Sequence, residues 1–167
     1  LKESIREFQY SPWLVANLFL SEAPNSLGET AWDNIIYASK GLGYVDTDHQ
    51  YFGLRPRSKI LTYYCPFSGK DTVKSRNFLY NLSTKRAKEF VLADMASAHP
   101  DLNSNLAEVN FYLWAHGMIR PVPGFIWSKQ RTLFNSSNQN IFFAHSDISG
   151  MSIFEEAQYQ GVKAAQQ

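Results

Sequence analysis

The chain has 167 residues, of which 44% are hydrophobic and 15% aromatic, with a formal net charge of +1 and a single cysteine, Cys65. That length supports one buried core but not two large domains, and the near-neutral balance creates no field to draw nucleic acid or a membrane surface. One cysteine excludes an internal disulfide and a cysteine-built metal site; its place in an apolar run marks it as a plain buried thiol. The longest apolar run, Trp13 to Leu20, is far below the ~20 residues of a spanning helix, and no secretory leader is visible. The chain opens on LKES, in mid-pattern, as one piece of a longer protein would, so no compartment is readable from this end.

Taken in chain order, Ser11–Leu20 (SPWLVANLFL) reads as a β-strand closed by the turn formers EAPNSLGE. WDNIIYAS and GYVDTDHQYF read as two strands joined at KGLG, and Lys59–Phe67 as a fourth, ended by Pro66. Four strands with short links predict an antiparallel meander. Helix follows: Val73, Arg76, Phe78, Leu79 and Leu82 have partial helical spacing. From Ser83, a capping residue, Ala87, Phe90, Val91, Met95 and Ala98 form one face, with Lys85, Arg86, Lys88, Glu89 and Asp94 facing away. His99-Pro100 stops this helix.

Leu106–Met118 alternates. Val109, Phe111 and Leu113 form a core face; Asn110, Tyr112, Trp114 and His116 form the other, whose mix of polar and aromatic groups suits either a ligand pocket or a solvated sheet face. A rigid turn through Pro121, Pro123 and Gly124 and the polar loop NSSNQN lead to a closing strand at Ile141–Ala144, of the kind buried in a parallel sheet. A last helix is predicted from Ser152, which with Glu155 makes a capping-box pattern. Ala157, Gly161, Ala164 and Ala165 give it a stripe of small residues for close packing.

A strand–loop–helix unit aims backbone N–H groups and the positive end of the helix at its loop. Glu155 and Glu156 already offset that positive end. A phosphate dianion is disfavoured, and a neutral or weakly anionic group such as a flavin ring fits better. Asp147 is placed to accept from sugar-like hydroxyls; the plainer alternative is that Asp147 and Ser149 make turns and Ser152 caps the helix. Ser149 lacks a G-x-S-x-G elbow. The Asp48–His49 pair reads as a turn or strand-edge hydrogen bond, and His116 and His145 have no third ligand at a metal-binding spacing.

The segment FFAHSDISGMSIFEEAQYQGVKAA resembles the C-terminal flavin-binding segment of the flavin-containing amine oxidase family. The matching features are Phe143-Ala144, the carboxylate of Asp147, Gly150 before a helix, and Gly161 through Ala164-Ala165. The family's usual Gly-Glu after Phe-Ala is His145-Ser146 here. PWLVANLFL, WDNIIYASKGLGYVDTDHQ, LADMASAHP and LWAHGMIRPVPGFIW are similar, in order, to a bacterial branch of FAD-dependent oxidoreductases, which more often reads Gly-His-Ala-Met where this chain has Ala115-His116-Gly117-Met118. The resemblance implies an α+β fold. Residues 1–135 would be an antiparallel substrate-domain sheet with helices, and 136–167 a terminal strand–loop–helix from a discontinuous FAD-binding α/β domain. It implies FAD as cofactor, with Ser146, Asp147, Gly150, Met151 and Ser152 as flavin neighbours. Tyr112, Trp114 and His116 would lie on the side of an amine-like substrate. No residue is assigned a catalytic role and no metal is expected. No G-x-G-x-x-G follows a strand in these 167 residues, so the pyrophosphate would need the missing N-terminal half of the same protein, and this chain alone would be inactive. The alternative is a non-catalytic α+β module that binds an apolar ligand or a protein partner through its aromatic face.

Overall fold

The computed structural model describes residues 2–25, 31–50, 57–69, 71–134 and 141–167. In order, the chain forms helix α1 (Lys2–Ile5), strands β1 (Tyr10–Leu20), β2 (Asp33–Ile35), β3 (Gly43–Asp46) and β4 (Lys59–Pro66), helices α2 (Thr72–Tyr80), α3 (Thr84–Met95) and α4 (Leu102–Asn105), strand β5 (Leu106–Ile119), and helices α5 (Lys129–Thr132) and α6 (Phe154–Ala165). It divides into two compact units, Pro12–Ala115 and Leu1–Ser11 with His116–Gln167.

The unit Pro12–Ala115 is built on a five-stranded sheet of order β2-β3-β4-β1-β5. The pairs β1/β4, β3/β4 and β2/β3 are antiparallel. The predicted meander holds for β2, β3 and β4, but β1 pairs with β4 instead of β2. The reason is in the register: Leu14 lies opposite Cys65, Ala16 opposite Tyr63 and Leu18 opposite Leu61. These six side chains point to one face and are all buried, and a one-residue slip of either strand would turn its three to the other face. Burial pushes the Cys65 thiol up to about 11, as a plain buried thiol requires.

Helices α2, α3 and α4 cover that face. Leu79, Val91, Met95 and Leu102 complete the core, with Val109 and Phe111 of β5 packed at its edge. Leu113 is exposed, so the expected inward face of β5 stops at Phe111. Asp71 caps α2 by accepting from the amides of Val73 and Lys74, both at 3.0 Å. Ser83 caps α3 as expected, accepting from Arg86 N–H at 3.4 Å. The α3 helix ends at Met95, ahead of His99-Pro100. Asp94 does not face away: its carboxylate accepts from the amides of Lys40 and Gly41, each at 2.9 Å, and from the Tyr63 hydroxyl at 2.7 Å.

The expected strand lengths in the β2–β3 region are revised. The strands are shorter than predicted, and Thr47–Gln50 is a 3₁₀ turn. His49 Nδ1 lies 2.8 Å from the carbonyl oxygen of Asp46, while Asp48 pairs with Lys59 at 3.3 Å. Tyr51, Phe52 and the loop NSSNQN lie outside the described residues.

Candidate functional site

The second unit holds the loop from Phe143 to Ile153 and α6, where the sequence places the candidate ligand site. No regular strand forms over Ile141–Ala144: Ile141 makes an isolated bridge, 142–144 form no regular structure, and His145 is extended. Ser146–Ser149 is a 3₁₀ turn closed by Gly150, which has φ 75° and donates its N–H to Asp147 O at 2.9 Å. Glycine suits this left-handed position, and a Cβ there would also lie 3.0 Å from two carbons of the Phe125 ring.

The last helix begins at Phe154, not Ser152, and its N-cap residue, Ile153, supplies no side-chain cap. The hydroxyl of Ser152 is engaged elsewhere: it accepts from Ile119 N–H at 3.0 Å. The capping-box reading therefore fails because another backbone donor takes the Ser152 oxygen. Glu155 and Glu156 do occupy the first turn. Among the described residues, nothing lies within 4 Å of where a Cβ on Gly161 would be.

The face that α6 buries is polar. Gln160 is its buried residue and donates through Nε2 to Ser149 Oγ at 2.9 Å. Phe154, Tyr159 and Val162 are exposed by 76%, 60% and 52%. The loop is thus tied to its helix by a buried hydrogen bond, and the helix keeps an apolar outer side.

Asp147 is held by residues far away in sequence. The Tyr10 hydroxyl donates to its Oδ2 at 2.7 Å. Burial, and then the Asp147 carboxylate beside it, hold the Tyr10 phenol well above its ordinary range. His145 Nδ1 lies 3.1 Å from the Asp147 amide and 3.2 Å from Asp147 Oδ1. As a bare nitrogen it accepts from the amide; carrying a proton it donates to the carboxylate. Arg131 clamps the same loop, donating through Nη1 to Ile148 O at 2.9 Å and through Nε to Ile126 O at 2.6 Å.

Beside this turn lies a cavity of about 220 Å³. Phe8, Phe134 and Phe143 form its aromatic wall, with edge-to-face contacts between Phe8 and Phe134 at 5.1 Å and between Phe134 and Phe143 at 5.1 Å. Ile5 and Ile148 add apolar surface, and Tyr10, His145 and Asp147 supply its polar end.

The five predicted flavin neighbours therefore stand on one turn and the approach to the helix, in different settings. Ser146 and Gly150 are buried, Asp147 is half-buried, Met151 is exposed and Ser152 is engaged with Ile119. Tyr112 and Trp114 are exposed by 44% and 55% on β5, which is an edge strand. His116 meets the Tyr10 ring edge-on at 5.3 Å. Tyr112, Trp114 and His116 do not line the cavity. Its wall residues Phe8, Tyr10 and Phe134 carry no local signal in the sequence: Tyr10 and Asp147 are 137 residues apart.

The chain matches no protein-family model and no curated protein. Among the described residues, no helix is long and apolar enough to cross a membrane, and no group of His, Cys, Asp and Glu is arranged to hold a metal ion.

Proposed function

We propose that this chain is the carboxy-terminal part of an FAD-dependent oxidoreductase of the amine-oxidase type. The sheet and its helices would be a portion of the substrate domain, and the turn with α6 the last piece of the flavin domain. The observation that carries the reading is the helix start. The first amides of α6 have no side-chain cap, because Ser152 is engaged with Ile119, and they follow a glycine turn fixed against Phe125. Uncapped first-turn amides seek an acceptor, and Glu155 and Glu156 favour a ligand of low charge over a phosphate.

In this reading Gly150, Met151 and the amides beyond them hold the ring end of FAD, and Ser146 and Asp147 accept from its polar chain. FAD, when bound, supplies the hydride acceptor for oxidising an amine or a related activated C–H bond. This chain's residues contribute position and electrostatics: Arg131 and Tyr10 hold the turn in place. The pyrophosphate falls to the N-terminal half, which brings a dinucleotide-binding glycine loop. The exposed apolar side of α6 supports a need for that further chain, since Phe154, Tyr159 and Val162 would gain cover from it.

The test is to express the longer reading frame that contains this segment and read the visible spectrum of the purified protein. A yellow protein whose flavin is bleached anaerobically by one member of an amine panel is the expected result. A colourless protein that takes up no FAD refutes the proposal. A yellow protein that no amine reduces points to a member without this activity.

A second reading has its own observation. Tyr112 and Trp114 stand exposed on an edge strand, as a non-catalytic module that binds an apolar ligand or a protein partner would present them. Binding of a partner that survives in the absence of flavin and is lost on Trp114→Ala would favour it.

A further inference from the structure

The cavity beside the turn has the chemistry of a site in its own right. Its wall is three phenylalanine rings and two isoleucines, and its polar end is the Asp147 carboxylate with Tyr10 and His145 beside it. An apolar cavity of about 150 Å³ holds a benzene ring, and drug-sized ligands occupy about 300 Å³ or more. At about 220 Å³, this one takes a single substituted ring or a fused bicycle. The rings of Phe8, Phe134 and Phe143 already meet edge-to-face at 78–79°, the arrangement an entering ring can continue.

The carboxylate sets the other requirement. A carboxylate accepts about four hydrogen bonds, and the Tyr10 hydroxyl takes one of them, on Oδ2. That contact shows what Asp147 accepts here: an uncharged O–H donor carried on an aromatic ring. A cation would have to be stripped of water to enter a space walled by phenylalanine. A neutral O–H or N–H donor gains a charge-assisted bond without burying a second charge.

We propose that this cavity binds a small neutral aromatic molecule carrying one hydrogen-bond donor, of the phenol or indole class, with its ring among Phe8, Phe134 and Phe143 and its donor on Asp147. The proposal goes beyond the flavin reading and does not depend on it, because every wall residue belongs to this chain and the test needs no flavin.

The experiment titrates phenol and indole into the full chain, with toluene as a ring lacking a donor and trimethylanilinium as a cationic ring. Amide chemical shifts map the site. Phenol and indole are expected to saturate and to move the amides of Phe8, Tyr10, Phe143 and Asp147. Phenol should bind about tenfold or more tighter than toluene, the range of a hydrogen bond to a charged group. Asp147→Asn should erase most of that margin while leaving toluene unchanged. Ala144→Trp places bulk at an exposed position of the cavity wall and should abolish binding of both rings with the far-UV spectrum retained. No saturable binding, equal affinity for phenol and toluene, or tightest binding of the cation would each overturn the proposal. So would shifts confined to residues outside the cavity, which would do so even if Ala144→Trp failed to fold.

Discussion

Replacing Gly150 with alanine tests the turn that the flavin reading depends on. Two costs can be separated. An L-residue at φ 75° loses about 1 kcal/mol relative to glycine. The new Cβ would also sit 3.0 Å from Cδ1 and Cε1 of Phe125. That ring is 4% exposed and packed edge-on at 4.9 Å against Phe8, so it has little room to retreat, and overpacking of this kind costs about 1–3 kcal/mol. The expected total is about 3 kcal/mol. Gly124 provides the comparison: it has φ 86° and open space at its Cβ position, so Gly124→Ala should lose only the backbone part, about 1 kcal/mol. Urea unfolding of both variants measures the difference, and Phe125→Leu completes a double-mutant cycle. The clash account requires Gly150→Ala to cost less in the Phe125→Leu background. If the two glycine variants lose the same stability, or the cycle shows no coupling, the Phe125 contact is not what fixes this turn.

Asp94 gives a pH prediction. Burial works to raise its pKa, but the Lys40 amide, the Tyr63 hydroxyl and the Gly41 amide outweigh it and hold the carboxyl below its ordinary 3.8. A depressed folded value means stability that is present above the unfolded pKa and lost as pH falls through the folded one. Acid unfolding curves should therefore steepen below about pH 4. Asp94→Asn should flatten that limb and cost about 1–3 kcal/mol at neutral pH, a result read by urea midpoints at several pH values. Gln160→Leu should also cost about 1–3 kcal/mol, because it leaves the buried Ser149 hydroxyl without its partner. Adding Ser149→Ala should recover part of that loss, and a double variant no better than the single one would show that the bond carries little.

The parts of the fold that were readable from sequence are those set by local periodicity. Alternation in β1 survives as an alternating burial pattern, and the α3 cap and core stripe follow from spacing within one helix. Strand order was not readable, because the pairing of Leu14 with Cys65 joins stretches far apart in the chain and depends on which faces match. The same limit applies at the site. The turn, its glycine and the first-turn glutamates could be placed from local sequence. The role of Ser152 could not, since the Ile119 amide that takes its oxygen is 33 residues away. Nor could the burial of Gln160 and the exposure of Phe154 on α6: a stripe of small residues was the stronger local pattern, and the Gln160–Ser149 hydrogen bond leaves no mark in it.

The turn at Ser146–Gly150 is held mainly by side chains from elsewhere. Its own backbone contributes short-range bonds such as Ile148 N–H to His145 O and Gly150 N–H to Asp147 O. Around it, Tyr10 grips Asp147, Arg131 grips the Ile148 carbonyl, Gln160 grips Ser149, and Phe125 backs Gly150. These contacts come from separate stretches of chain, so loosening one leaves the others to hold the geometry. A loop that served only to join a strand to a helix would gain little from such fixing. A loop that must present amides and a carboxylate to a ligand gains directly, because contacts arranged before binding need not be ordered by it. This convergence, more than any single residue, is what supports the proposal of a ligand at the turn.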